Sequence, residues 1–407
     1  MNTPNKSLID KQSLQNFAKN FLLLLVTIVV ILGALEISLR IYNPLGFRIK
    51  GNKILLPRNK KEVIYHDKSV HKFDPMVVCT RNSLGFRGAE PPRDFAQRLS
   101  ILVIGGSTTE CLELADNKTW AALLGFKLEK DFKGLWLNNA GLGGHSTFGH
   151  LVLMKDYVVK LRPKVALFLV GINDVGTGNP REFDTRLKVL NFHSLDKFLD
   201  YLANYSELAA ASVNMYRHFF PKATMAKAYD SMGEQDFRKM QQLDTPEADR
   251  LALKQLHRTK YLKAYETRLI ELIKICLANN IEPVFVTQPM LYGSVIDDVT
   301  GIDLARIKVT NKINGETAWE VLELYNDTTR AVGQREGVLV IDAARELPKS
   351  SRYFADMIHF SNAGARALAQ IVYAGLEPHL AQEYPGYLAL RGVAGRTSAA
   401  PSAGGAQ

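Results

Sequence analysis

The sequence predicts an α/β protein: a five-stranded parallel sheet covered by helices on both faces, preceded by an apolar N-terminal helix and interrupted by a long helical insertion. Three observations predict it. Five apolar strand-like runs occur at 99–104 (LSILVI), 135–139 (LWLNN), 164–170 (KVALFLV), 281–287 (IEPVFVT) and 337–342 (GVLVID). Each is apolar at consecutive positions, the pattern of a strand buried on both faces. Each is followed by a segment long enough for a helix, and strands alternating with helical crossovers build a parallel sheet.

The bulk composition agrees. A chain of 407 residues that is 46% apolar has enough material for a large packed core. Its net charge of +10 suits an anionic surface. No dense Lys/Arg block or basic–aromatic alternation accompanies that charge, so it reads as diffuse surface charge and no nucleic-acid partner is expected. Cys79, Cys111 and Cys276 are too few and too scattered for a disulfide framework or a zinc site. A Cys79–Cys111 pair would need an oxidising compartment. No metal or cofactor is expected.

At the N-terminus, Phe21 to Leu35 is an uncharged run, FLLLLVTIVVILGAL, preceded by Lys6, Lys11 and Lys19. It is shorter than the roughly 20 residues a spanning helix wants. Ile37, Leu39 and Ile41 extend it, however, and Leu35 and Glu36 stand where a signal-peptide cleavage site needs small residues. The reading is an uncleaved anchor at 21–42, with 1–20 a short cytoplasmic segment. The rest then lies outside the cytoplasm as the body of a single-pass membrane protein. Arg40, Arg48, Lys50 and Lys53 follow the span, so charge does not set this orientation, and the shortness of the leading segment does.

Residues 43–98 read as a linker and lead-in, punctuated by Pro and Gly and ending in RNSLGFRG at 81–88. The main domain runs from 99 to 390. Its insertion, about 180–280, holds LDKFLDYLANYSELAAASVNMYRHFF at 195–220 and a helix at 251–279. In that helix Leu262, Tyr265, Leu269, Leu272 and Cys276 recur at helical spacing, and the insertion is expected to roof the sheet's edge. The Ala/Gly/Ser/Pro-rich tail, 391–407, reads as disordered.

Ligands of open parallel sheets bind beyond the carboxyl ends of the strands. Those ends carry GGST (105–108), NNAGLGGHST (138–147) and GIND (171–174), and ADMIHFSNAG (355–364) follows the fifth strand. Each has a plain structural explanation. Ser107 and Glu110 fit a capping box, the glycines an ordinary loop, Asn173 and Asp174 a turn, and Asp356 and Ser361 a cap for the last helix. Together they supply what serine-based acyl transfer needs: a hydroxyl nucleophile in Ser107, a base in His359, and a carboxylate in Asp356 to orient that base. The Gly144 N–H, the Asn173 side-chain amide and the Ser107 N–H are the oxyanion donors.

In this order and spacing the four blocks resemble the signature blocks of the SGNH (GDSL-type) hydrolases, over roughly residues 99–177 and 335–377. The resemblance implies a flavodoxin-like three-layer sandwich, with Ser107, Gly144, Asn173 and His359 as the name-giving positions and Asp356 completing the triad. Gly106 stands where the common pattern has Asp. Many membrane-anchored members resemble this chain in carrying GGST after a stretch like NSLGFRG, so the glycine is not read as loss of activity.

The remaining candidates carry less. His145 and His150 are five apart, off a common helical face, so they do not predict a metal site. GGST lacks the lysine of a P-loop. Asp174 reads as a hydrogen-bonding anchor for the loops, and Gln288 and Pro289 as pocket lining. The expected function is an envelope-anchored serine esterase acting on an ester-bearing small molecule, lipid or glycan. The same triad would also serve an envelope polysaccharide O-acyltransferase. A non-catalytic polysaccharide-binding or assembly subunit would show a broken triad, and every part of the triad is present.

Overall fold

The computed structural model describes residues 11–67, 71–180, 183–184, 195–219 and 234–389. The tail read as disordered lies outside them, as do parts of the leading segment and of the insertion. The described residues divide into two compact units. One holds those up to Leu55 together with 195–219, and the other holds the rest.

In the first unit a helix runs from Lys11 to Ile41 and is long and apolar enough, over Ser13–Ile41, to cross a membrane. Helices Leu195–Tyr205 and Glu207–Phe219, the first part of the insertion, pack in this unit. The junction is polar. The Glu36 carboxylate accepts the backbone N–H groups of Glu207 at 3.0 Å and Leu208 at 2.9 Å, and the Ser206 hydroxyl at 2.8 Å. The two backbone groups are donors that a helix start leaves unpaired, and a carboxylate is also favoured there by the helix dipole.

The second unit is built on the central sheet. Its strands are β1 (Leu99–Gly105), β2 (Leu135–Asn139), β3 (Val165–Val170), β4 (Glu282–Thr287) and β5 (Val340–Ile341). All pairings are parallel, in the order β2-β1-β3-β4-β5. Every residue of β1 and β3 is buried, as their unbroken apolar runs require. Leu99, Ile101, Val103, Leu167 and Val284 pack in one cluster with helices Trp120–Leu128 and Asn362–Glu383. Helix Leu262–Ala278 packs between helices Thr147–Leu153 and Gly315–Glu336, and it and the latter also pack against β4. The fold is a flavodoxin-like three-layer sandwich.

The fifth strand is shorter than its apolar run. Gly337 takes up the left-handed position (φ 68°) that closes helix Gly315–Glu336, so pairing starts only at Val340. In helix Leu262–Ala278 the expected Tyr265, Leu269, Leu272 and Cys276 are buried, and Leu262 at the helix start is only partly so.

Two histidines are held neutral inside this unit. Burial pulls the His150 imidazole down from 6.5 to about 3 and the His257 imidazole down to about 4. The Tyr325 hydroxyl accepts the Gly176 N–H at 3.0 Å and lies 2.9 Å from His257 Nδ1. Both folded values lie below the unfolded one, so between pH 4 and 6.5 the unfolded chain binds more protons. This stability is full above 6.5 and is lost as the pH falls. Denaturation monitored from pH 7.5 to pH 5 should show His150 alone costing roughly 2 kcal/mol at the acid end. A profile flat over that range would contradict buried neutral imidazoles.

Candidate active site

β1 ends at Gly105, paired with Leu169 near the end of β3. This is where the strand order reverses, because the chain passes from β1 to β2 on one side and then to β3 on the other. A crevice opens at such a point. Gly106 caps the four-residue helix Ser107–Glu110, its carbonyl accepting the N–H groups of Thr109 (3.1 Å) and Glu110 (2.9 Å). Ser107 is therefore the first residue inside the helix and not its cap. The capping-box expectation fails for a second reason: the Glu110 carboxylate turns away to the Arg81 guanidinium and to the Gly143 N–H at 2.7 Å.

The Ser107 hydroxyl meets His359 instead. His359 Nε2 lies 2.8 Å from Ser107 Oγ, and its Nδ1 lies 2.6 Å from Asp356 Oδ2. The other Asp356 oxygen accepts the backbone N–H groups of Ile358 (2.8 Å) and His359 (2.7 Å), which folds the loop back on itself. A fully buried carboxylate facing Nδ1 places the ring proton there and leaves the Nε2 lone pair toward the serine. Of the two residues read as caps for the last helix, only Ser361 is one, accepting the Gly364 N–H at 3.0 Å.

Gly144 and Asn173 come from the neighbouring strand ends. Gly144 has a φ of 79°, open to glycine at little cost, in a loop tied to β1 by the Leu142 N–H donating to Gly105 O at 3.0 Å. The Asn173 amide donates to His145 O in the same loop at 3.1 Å. Asn173 Nδ2 also lies only 2.2 Å from where a Cβ on Gly106 would stand. The structure thus joins Ser107, His359 and Asp356 in one hydrogen-bonded chain, sets the Asn173 amide against the residue before Ser107, and holds the Gly144 loop at the end of β1.

Other singled-out residues act as supports. Asp174 accepts the Thr147 N–H (3.1 Å) and hydroxyl (2.5 Å) and pairs with Arg268 at 3.0 Å, so it anchors the loop as read. Gln288 accepts the Thr108 hydroxyl at 3.0 Å and is buried behind the serine. Cys79, Cys111 and Cys276 are free thiols, and burial raises Cys111 to about 12, so it does not compete with Ser107 as a nucleophile.

Two supporting arginines escaped the sequence reading. Arg87 donates to the carbonyls of Glu110 (2.6 Å), Cys111 (2.7 Å) and Leu114 (2.7 Å) and pairs with Asp116. Arg81 holds Glu110, and both guanidiniums are buried. The signal for them was the stretch RNSLGFRG, whose two arginines bracket a turn. Asn139 also braces the helix, donating to Thr109 O at 2.6 Å and accepting the Gly141 N–H at 2.8 Å.

A parallel α/β sandwich with a serine, a histidine and a carboxylate linked at its switch point has the make-up of a serine hydrolase. Residues 103–367 match the GDSL-like lipase/acylhydrolase family, and the chain belongs to that family. It is a serine hydrolase acting on ester bonds. Among solved structures it is similar to a GDSL-like lipase from Bacteroides thetaiotaomicron, at 9% identity and a TM-score of 0.35 over 72% of this chain and 93% of that one. It is also similar to an acetylxylan esterase from Geobacillus stearothermophilus, at 13% identity and a TM-score of 0.38 over 68% of this chain and 93% of that one. No curated protein matches the sequence.

The contact at Gly106 gives a test. Gly106→Ala should push the Asn173 amide aside, and, where that amide stabilises charge that develops in the reaction, should lower kcat/KM by about 10²-fold. Steady-state kinetics on an activated ester checks it, and an unchanged kcat/KM would show that the amide is not needed there.

Proposed function

We propose that the protein is a serine esterase that cleaves an acyl ester through an acyl-enzyme at the cell envelope. Ser107 is the nucleophile, His359 the general base and Asp356 the residue that orients it, with the Ser107 and Gly144 N–H groups and the Asn173 amide as oxyanion donors. The observation that carries this reading is the continuous chain from Asp356 through His359 to Ser107, at 2.6 and 2.8 Å.

In the proposed reaction Ser107 Oγ attacks the acyl carbon while its proton passes to His359 Nε2. The carbon–oxygen bond to the alcohol then breaks, and His359 returns the proton to the leaving oxygen. Water, deprotonated by the same nitrogen, attacks the acyl-serine; the bond from the acyl carbon to Ser107 Oγ breaks, His359 returns that proton to Oγ, and the carboxylic acid leaves. Asp356 stabilises the transient imidazolium and takes no proton itself. The apolar helix Ser13–Ile41 supports the envelope part of the reading, as an anchor with the catalytic unit on the extracytoplasmic side.

Ser107→Ala should abolish both ester turnover and covalent labelling by a fluorophosphonate. Labelling that persisted in that variant would place the nucleophile elsewhere. Asp356→Asn should cost up to about 10⁴-fold in kcat with little change in KM, because the carboxylate acts on the ring and not on the bound ester.

The anchor has its own test. A retained apolar helix should keep the protein in the membrane pellet through a carbonate wash, since high pH and salt release charge-bound proteins but not an inserted helix. A soluble product with a new amino terminus near residue 36 would make the helix a cleaved signal.

A further inference from the structure

We propose that the cavity beside Ser107 and His359 is the acyl pocket and that it admits an acetyl group but no longer chain. The proposal rests on the esterase reading above and goes further, to the substrate's acyl group.

The cavity has a volume of about 20 Å³, and its apolar wall is made by Phe73, Cys111, Leu112, Leu114 and Phe360. A space of roughly 10–15 Å³ on this measure seats one water molecule. The room next to the serine oxygen therefore suits a methyl group on the acyl carbon, and each further methylene has to displace the wall. Thr108 and Glu113 complete the lining, and the Glu113 carboxylate disfavours an acyl group that ends in a negative charge.

The wall is poorly able to retreat. Arg87 holds the carbonyls of both Cys111 and Leu114 at 2.7 Å, and the Cys111 thiol donates to Thr108 O at 3.2 Å. Phe360 packs on Phe354 with ring centroids 5.7 Å apart, and the cap at Ser361 follows directly. A second apolar cavity, of about 40 Å³, is lined by Ile172, Val175, Met290 and Leu322, and neither Ser107 nor His359 is among its walls.

The test uses the full chain in detergent and p-nitrophenyl esters of acetate, butyrate and octanoate. Release of the nitrophenolate reports formation of the acyl-serine whatever then removes the acyl group. The expected result is a kcat/KM that falls about tenfold or more from acetate to butyrate and further to octanoate. Leu112→Ala, at a half-buried wall position, should narrow the acetate-to-butyrate gap by a similar factor. Acetate esters of increasingly large alcohols should show no comparable cut-off.

A flat or rising acyl series that still depends on Ser107 would overturn the pocket assignment and leave the esterase reading standing. A cut-off in the alcohol series alone would assign the cavity to the leaving group and overturn it equally. Absence of Ser107-dependent release from every ester would remove the esterase reading and this inference with it.

Discussion

The parallel pairing of β1 with β3 is the constraint on which the rest depends. It sets Gly105 opposite Leu169, so the segments that leave the two strands start side by side and have to share one small space. The sharing works because position 106 has no side chain. A Cβ there would sit 2.2 Å from Asn173 Nδ2, and that gap is where the amide lies. The β2 loop closes the third side, tied to Gly105 by Leu142 and to Asn173 through His145 O.

A single turn of helix, Ser107–Glu110, cannot sustain itself, because nucleating a helix fixes several residues for each hydrogen bond gained. Its order is imposed from outside. Arg87 satisfies the carbonyls at its end, Arg81 and Gly143 engage Glu110, Trp120 donates to Thr108 O at 3.1 Å, and Asn139 donates to Thr109 O. Desolvating two guanidiniums is costly, and the carbonyl and carboxylate partners offset that cost only while the whole arrangement stays assembled. The stretch at 81–88 is therefore a brace for the serine turn. It also pairs with the sheet edge, where Arg87 and Asn139 exchange backbone hydrogen bonds at 2.9 Å in both directions.

What was legible in the sequence follows from the range of the interactions concerned. The central strands β1, β3 and β4 showed because burial on both faces forces continuous apolar runs, a local signature. Ser107, Asp356 and His359 showed because the strand ends of a parallel sheet are where chemistry collects, and Asp356 and His359 lie within one turn of each other. Arg81 and Arg87 did not, since their partners are more than 20 residues away and a buried arginine leaves no periodic trace. The capping box at Ser107 misled because Ser-x-x-Glu is read from spacing alone. Gly106 took the cap position through its backbone, and Glu110 had a stronger partner in a guanidinium.

The exchange of Asp for Gly at position 106 takes on a physical sense in this setting. A side chain at 106 would require the Asn173 amide to shift from its present place, and the glycine lets that amide lie directly against the backbone. On the proposed reading this bears on catalysis directly. An oxyanion donor stabilises charge only if it is already oriented when the charge develops. The Asn173 amide has one hydrogen committed to His145 O, which fixes the plane of the group, and its nitrogen rests against the backbone just before Ser107. The second hydrogen is then set by the first, without help from a carboxylate. An Asp at 106 in this loop would have to displace that nitrogen, and it would add a negative charge beside the place where the oxyanion forms. The glycine therefore reads as part of how this site holds its donor and gives no sign of a site in decay.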